Sequence, residues 1–274
     1  MLPRDLHVRG RWPPPAGPRV AVVGSRRPTP YGEAVSERLA QDLAAAGVIV
    51  ISGLALGIDG AAHRGALAGA GCTVAVMGTG VDLVYPRQHA ELAARILAAG
   101  GALVSEFADG TPPRRGHFPK RNWTMAALAD AVVVVEAGEG SGALLTAEAG
   151  LALSKEVMAV PGSVFSPLSV GCHQLLRDGA GLVQNARDVL AVVGRSQEVL
   201  DDPLQPPSRL GLAALGGRDG LLRHLSDVLP LTAAELARKL QLGFAETLAR
   251  LTALELDGSV RRRGEGFLRV PPRE

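Results

Sequence analysis

Two cysteines in 274 residues, Cys72 and Cys172, are too few for a disulfide framework, and neither has the spacing of a metal ligand. They read as structural thiols of a soluble protein in a reducing cytoplasm. No apolar run is long enough to span a bilayer, and the start, Met1-Leu-Pro-Arg-Asp5, lacks the apolar core of a signal peptide. An excess of one charge is missing as well. The 29 basic residues stand against 27 acidic ones, so no global field marks a nucleic-acid binder. Lysine is scarce, with Lys120, Lys155 and Lys239 the only three, though an Ala/Arg-rich genome would give the same bias. Three signatures are absent too. Without G-K-[ST] after a glycine loop, ATP hydrolysis of the P-loop kind is not expected. Without G-x-S-x-G, the corresponding hydrolase class is not expected either. Without a complete G-x-G-x-x-G, an ordinary nicotinamide or flavin cofactor has no seat. No cofactor, metal or catalytic residue is expected.

What is present has a clear rhythm. Apolar residues make up 47% of the chain, enough for a sizeable core. Residues 1–18, with Pro13, Pro14, Pro15 and Pro18, read as an extended lead-in. From 19 to 194, apolar runs suited to buried parallel strands recur at 19–23, 48–52, 72–77, 101–105, 131–135 and 156–160, with a weaker one near 181–183. Helical patterns fall between them, at 31–46, 59–70, 88–99, 121–129, 143–153 and 185–193. Alternation of this kind predicts an α/β fold, a Rossmann-like, doubly wound and mostly parallel sheet. Residues 195–217 read as a Pro/Gly-rich linker. The remainder, 218–274, predicts a small winged-helix domain. A helix is expected at 219–229, a second opened by the capping box Thr232-Ala-Ala-Glu235, a third at 245–256, and then a hairpin over 259–270. Its wing carries Arg261, Arg262 and Arg263, and residues 209–274 hold 11 basic against 8 acidic residues. The third helix has two acids and one arginine, a poor reader of a major groove. A protein contact or a weak DNA contact is the expected role of this tail.

Chemistry is expected at the carboxyl ends of the strands, which share one rim in an open parallel sheet. After the first run come Gly24, Ser25, Arg26 and Arg27, a tight turn, a hydroxyl and two guanidinium groups near a helix start. They suit a phosphate, although a plain turn with surface arginines has the same look. Ser52-Gly53-Leu-Ala-Leu-Gly57-Ile-Asp59-Gly-Ala-Ala-His63 follows the second run. Gly53 and Gly57 allow close approach of a ligand or of the adjacent loop. Asp59 is expected to cap the next helix and His63 to pack inside it, an acid–base pair being the other reading. Gly78-Thr-Gly80 and Tyr85-Pro86 mark a sharp turn. Arg114, Arg115, Phe118, Lys120, Arg121 and Asn122 form the densest basic cluster of the sheet domain, interleaved with aromatic rings; Trp123 is expected to pack inward. Cations with stacking rings are what single-stranded nucleic acid needs. The glycine-rich loop after the fifth run offers Ser141, Gly142 and Thr146 to a phosphate. Arg26, Lys120 and Ser141 are expected to line one crevice.

These motifs, in this order, resemble the DNA-processing protein A family, also called DprA or Smf, over residues 2–193. The matching stretches are Val20-Ala-Val-Val-Gly-Ser-Arg26, Ser52 to His63, Ala75-Val-Met-Gly-Thr-Gly80, Tyr85-Pro86, Ser105-Glu106, Phe118-Pro-Lys-Arg-Asn122, Val135-Glu136, Ser141-Gly-Ala-Leu-Leu-Thr146 and Val160-Pro-Gly162. The resemblance implies a homodimeric mediator, not an enzyme, that binds single-stranded DNA without strong sequence preference. It further implies loading of the recombinase RecA past single-strand binding protein, during natural transformation and homologous recombination. By that resemblance Gly24, Ser25 and Arg26 form the phosphate pocket, and Lys120 and Arg121 meet the DNA backbone. Where the family often has Arg-Asn-Arg, this chain has Arg121-Asn122-Trp123, and His173 stands where asparagine is common. An N-terminal helical domain common in the family has no counterpart, which implies a shortened chain. A nucleotide-processing enzyme of the phosphoribohydrolase-like Rossmann group is the alternative. Its Gly-Gly-x-Gly-Thr-x-x-Glu motif is matched only loosely by Gly140 to Glu148.

Overall fold

The computed structural model describes residues 5–194, 222, 225, 230–240, 242–264 and 266–270. The linker expected over 195–217 lies outside the described residues, as does most of the helix expected over 219–229. The chain divides into two units, Met1–Asp201 and Asp202–Glu274.

The first unit is built on β1 (His7–Gly10), β2 (Arg19–Val23), β3 (Ile49–Ser52), β4 (Thr73–Val76), β5 (Ala102–Ser105), β6 (Ala131–Val134), β7 (Glu156–Ala159) and β8 (Gly181–Leu182). Its helices are α1 (Pro30–Ala45), α2 (Ile58–Ala68), α3 (Ala90–Ala98), α4 (His117–Leu128), α5 (Gly142–Ala152), α6 (Val170–Arg177) and α7 (Ala186–Val192). The strands run β1-β5-β4-β3-β2-β6-β7-β8 across one sheet. All neighbours are parallel except β1, which pairs antiparallel with β5 from His7↔Ser105 to Gly10↔Ala102.

Strands β2 to β6 are short apolar runs because both faces are covered. Along β2 and β3, Ala21, Val23, Ile49 and Ile51 face one core with Met125 of α4 and Ala147 of α5. Val20, Val22 and Val50 face the other with Leu43 of α1, Ala62 of α2 and Leu190 of α7. Period-two alternation thus feeds two layers of helices. The chain winds outward from β2 to β5 and then returns, through α4, to place β6 beside β2. The β2–β6 boundary is therefore the topological switch point, where the loops after adjacent strands part to opposite faces.

Two elements correct the sequence reading. Residues 7–10 of the lead-in are a sheet strand, β1, with a largely exposed polar pattern that carries no apolar run. Helix α6 was not expected; it has eight residues and opens after Pro167 with Gly171 and Cys172 as its buried pair. The Cys172 thiol lies against the Val134 carbonyl, and burial pushes its pKa up to about 11, so it stays an inert thiol.

The second unit is a winged helix. It contains β9 (Leu231–Thr232), α8 (Ala233–Leu240), α9 (Phe244–Leu256), β10 (Val260–Arg263) and β11 (Gly266–Arg269), in sheet order β10-β11-β9. The Thr232–Glu235 capping box forms: the Glu235 carboxylate accepts from the Thr232 N–H at 2.8 Å, and the Glu235 N–H donates to the Thr232 hydroxyl at 3.3 Å. Leu236, Leu251, Leu254, Val260 and Phe267 close its core. Arg261, Arg262 and Arg263 are exposed on β10, with Arg262 over the Phe267 ring at 4.9 Å. Among the described residues no helix is long and apolar enough to cross a membrane.

Candidate nucleic-acid interface

A crevice of about 490 Å³ opens at the switch point. Its walls are the β2–α1 turn (Gly24, Ser25, Arg26), the start of α4 and the β6–α5 loop running into α5 (Gly138 to Thr146). The turn is held from both sides. The Ser25 N–H donates to the Glu136 carbonyl at 2.7 Å, and the Ser25 carbonyl accepts from the Ile58 N–H at 3.1 Å. Glu136, not anticipated as part of the site, is 3% exposed. Its carboxylate accepts from the Thr29 N–H at 2.8 Å and the Thr29 hydroxyl at 2.5 Å, a negative group at the N-terminus of α1. Arg26 is left exposed, with its guanidinium 5.3 Å from the centre of the Phe118 ring. It makes no ion pair with any described residue, and neither do Arg27, Arg114 and Arg115, all exposed.

Helix α4 sorts the basic cluster into two faces. Phe118, Arg121, Asn122 and Met125, at spacings of three and four, line the crevice. His117, Lys120 and Thr124 face the loop after β5. His117 stacks on Phe107 at 4.0 Å, the Lys120 ammonium pairs with Glu106 at 3.1 Å, and the Thr124 hydroxyl donates to the same carboxylate. Lys120 is thus absent from the residues lining the crevice, contrary to the expectation that it joins Arg26 and Ser141 there. Trp123 is 49% exposed, not packed inward, because it lies on neither of these faces.

Arg121 is 4% exposed. Its guanidinium donates to the Val76 carbonyl at 3.2 Å and stands 3.8 Å from the Asp59 carboxylate. Placed so, it braces the crevice wall and does not present a free cation at the surface. Gly53 serves this arginine: a Cβ there would lie 1.4 Å from the Arg121 guanidinium. Gly57, at φ +76°, closes on the Ser25 carbonyl and occupies the cap position of α2. Asp59 therefore does not cap the helix. Its carboxylate turns back to accept from the N–H groups of Gly53 at 3.2 Å and Ala55 at 3.3 Å. Burial raises its pKa against the pull of Arg121.

On α5, Ser141 is the N-cap, its hydroxyl accepting from the Ala143 N–H at 3.3 Å, and the Gly142 carbonyl accepts from Asn122 at 3.0 Å. Thr146 lines the crevice at 1% exposure with no hydrogen-bond partner for its hydroxyl oxygen. A buried hydroxyl without a partner, the start of α5 and an arginine that pairs with no described residue thus line one crevice.

His63 is a core histidine. Thr73 donates its hydroxyl hydrogen to the Val50 carbonyl, so the imidazole Nδ1 donates to Thr73 Oγ1 at 2.8 Å, which leaves Nε2 as a bare acceptor. Burial first, then His89 and Arg121, lower its pKa from 6.5 to about 3. The unfolded chain therefore binds more protons between those values, and stability falls as pH drops below 6.5. We expect His63→Gln to remove up to about 1.4 kcal/mol per pH unit of slope across that window. Urea unfolding at pH 4.5 and 6.5 of both proteins checks this, and equal slopes would refute it.

The fold defines an α/β protein of the Rossmann-like class, with a mostly parallel sheet followed by a winged helix. The chain belongs to the DNA recombination-mediator protein A family, whose model matches residues 1–194; the DprA winged helix domain model matches 205–266. It is 44% identical over 188 residues to the protein Smf of Escherichia coli, covering 69% of this chain and 50% of that protein. It is 43% identical over 174 residues to the DNA processing protein DprA of Streptococcus pneumoniae, covering 64% and 61%. The chain thus spans about half to three fifths of the length of these relatives. Among solved structures, DprA of S. pneumoniae matches with a TM-score of 0.60 at 42% identity over 64% of this chain and 61% of that one. DNA processing protein A of Helicobacter pylori, in a study of its single-stranded DNA binding mode, matches with a TM-score of 0.62 at 30% identity over 69% and 86%.

Proposed function

We propose that this chain binds single-stranded DNA in the switch-point crevice, without strong sequence preference, and acts as a homodimeric mediator that helps load RecA onto the strand. The observation that carries the DNA part is the lining of one crevice: Arg26, resting on the Phe118 ring with no ion pair to a described residue, shares it with the partnerless Thr146 hydroxyl and the start of α5. A guanidinium, a hydroxyl and a ring recognise what every nucleotide shares, a phosphate and a π-face, so sequence preference is weak. Membership of the family, and the DNA-binding mode studied in the H. pylori relative, support the same reading. The RecA and dimer parts rest on family resemblance. The exposed Arg114 and Arg115, just before α4, add positive charge to the sheet domain, and Lys120, paired to Glu106, adds a cation on the other face of α4.

Fluorescence anisotropy with mixed-sequence oligonucleotides at two salt concentrations tests the reading. Single strands are expected to bind more tightly than duplex, with log K falling against log salt at about 0.7 for each phosphate neutralised. Salt-independent binding, or a preference for duplex, would refute it. The same protein incubated with nucleoside monophosphates is expected to release no free base; release would favour the nucleotide-processing alternative.

A further inference from the structure

Beyond Phe118 the rim continues into a second, larger groove that the phosphate seat does not use. A small pocket lined by Arg26, Phe118, Leu56, Thr79 and Tyr85 joins the two. The groove itself has a volume of about 950 Å³ and is walled by Leu56, Leu83, Tyr85, Pro86, Pro112 and Pro113, with Arg87 at its edge. Leu56, Leu83 and Tyr85 are 41%, 39% and 48% exposed, an unusual density of open apolar surface for a chain with so few aromatics. The Tyr85 ring lies 5.9 Å from that of Phe118, which itself carries Arg26. None of the groove's lining residues is acidic, and the loop that supplies Pro112 and Pro113 runs straight into the exposed Arg114 and Arg115.

We infer that this groove receives the unstacked bases of the same single strand whose phosphate sits at Arg26, with Tyr85 as the stacking platform and Arg87 meeting a backbone phosphate. The inference rests on the crevice reading above. Continuity and charge decide the occupant. The groove shares Leu56, Thr79, Tyr85 and Pro86 with the joining pocket, which shares Arg26, Phe118 and Arg121 with the crevice. Arginines stand at both ends of the path, which suits a polyanion. The largely apolar wall between them, with the Tyr85 ring, suits base faces, which stack on aromatic side chains without regard to sequence. An apolar protein segment has no use for the flanking arginines.

Oligo(dT) strands of increasing length, followed by anisotropy, separate the two parts of the path. For wild type, affinity is expected to climb in two stages as the strand first fills the crevice and then the groove. Tyr85→Ala is expected to bind the shortest strands as wild type does and to lose about tenfold on the longer ones. Tyr85→Phe keeps the second stage. Arg87→Ala, an exposed change that leaves the wall intact, lowers the salt slope by about 0.7 on long strands only. Replacing the bases of the distal nucleotides by abasic sugars should weaken wild type as much as Tyr85→Ala does, and leave Tyr85→Ala unchanged. Thermal unfolding confirms that each variant is folded. If Tyr85→Ala and Arg87→Ala match wild type at every length while Arg26→Ala is weakened, the groove is not on the path and the inference fails alone. If Arg26→Ala also matches wild type, the crevice reading fails and takes the groove with it.

Discussion

Arg26→Ala is expected to weaken single-stranded DNA binding by about ten- to a hundredfold while leaving stability within about 0.5 kcal/mol of wild type. The magnitude follows from what the side chain does. A hydrogen bond to a charged group contributes about 1.5–3 kcal/mol net, and each 1.4 kcal/mol is a factor of ten in affinity. The small stability effect follows from exposure and from the absence of any ion pair to a described residue. Losing one phosphate contact should also reduce the salt slope by about 0.7. Thr146→Val probes the opposite wall in the same assay. Its hydroxyl is buried with no partner in the free protein, so its removal should raise stability slightly and yet weaken binding several-fold. Wild-type affinity and salt slope in a folded Arg26→Ala protein would remove the crevice from the DNA path.

How much of this was legible in the sequence depends on what each residue had to signal. Strands β2 to β6 announce themselves because burial on both faces demands unbroken apolar runs, and Val20–Val23 is at most 2% exposed throughout. Strand β1 has no such demand. It lies at the sheet edge with one residue half-buried and the rest exposed, so nothing in His7-Val-Arg-Gly10 marks it. Helix α6 hides behind a proline and a glycine that usually end helices. The Gly24–Arg26 turn and the Ser141 loop were legible as one rim because parallel topology brings strand ends together. That Lys120 stands apart from them was not legible. A run of basic residues read along the chain looks like one patch, but helix periodicity turns Arg121 inward and Lys120 toward Glu106. Glu136 was legible only as part of a matching stretch, because its role is to bind Thr29 across the switch point, a partner 107 residues away. Tyr85 stood out in the sequence as part of a turn and of a stretch that matches the family, not as a partner of Phe118. Its meeting with Phe118 depends on the packing of two loops, for which no spacing rule exists.

The buried pair behind the crevice gives the largest expected loss of stability. Asp59→Ala should destabilise the protein by about 3–5 kcal/mol, because it strands the Arg121 guanidinium inside the wall. Both groups are almost fully buried, with side chains 7% and 4% exposed, and burial works against both charges: it raises the Asp59 pKa and lowers that of Arg121. At 3.8 Å the pair is loose, and Arg121 Nε has no partner at all. The two charges together are therefore a modest stabiliser, whereas one charge alone is a heavy penalty. That asymmetry makes the double replacement informative. Asp59→Leu with Arg121→Met should recover most of the loss of Asp59→Leu alone, giving a large coupling in a double-mutant cycle with Arg121→Met. Binding should not recover with it. The Arg121 guanidinium lies 5.9 Å from the Phe118 ring, on which Arg26 also rests, so the apolar pair restores the fold without restoring the support of that ring. Gly53→Ala attacks the same point from the other side, since its methyl group would occupy the place of the guanidinium. Urea unfolding of Asp59→Ala, Gly53→Ala, Asp59→Leu, Arg121→Met and the double variant, each paired with DNA anisotropy, measures both effects. An Asp59→Ala protein within 1 kcal/mol of wild type would show that Arg121 relaxes to solvent, and the wall of the crevice would then need no internal charge to hold it.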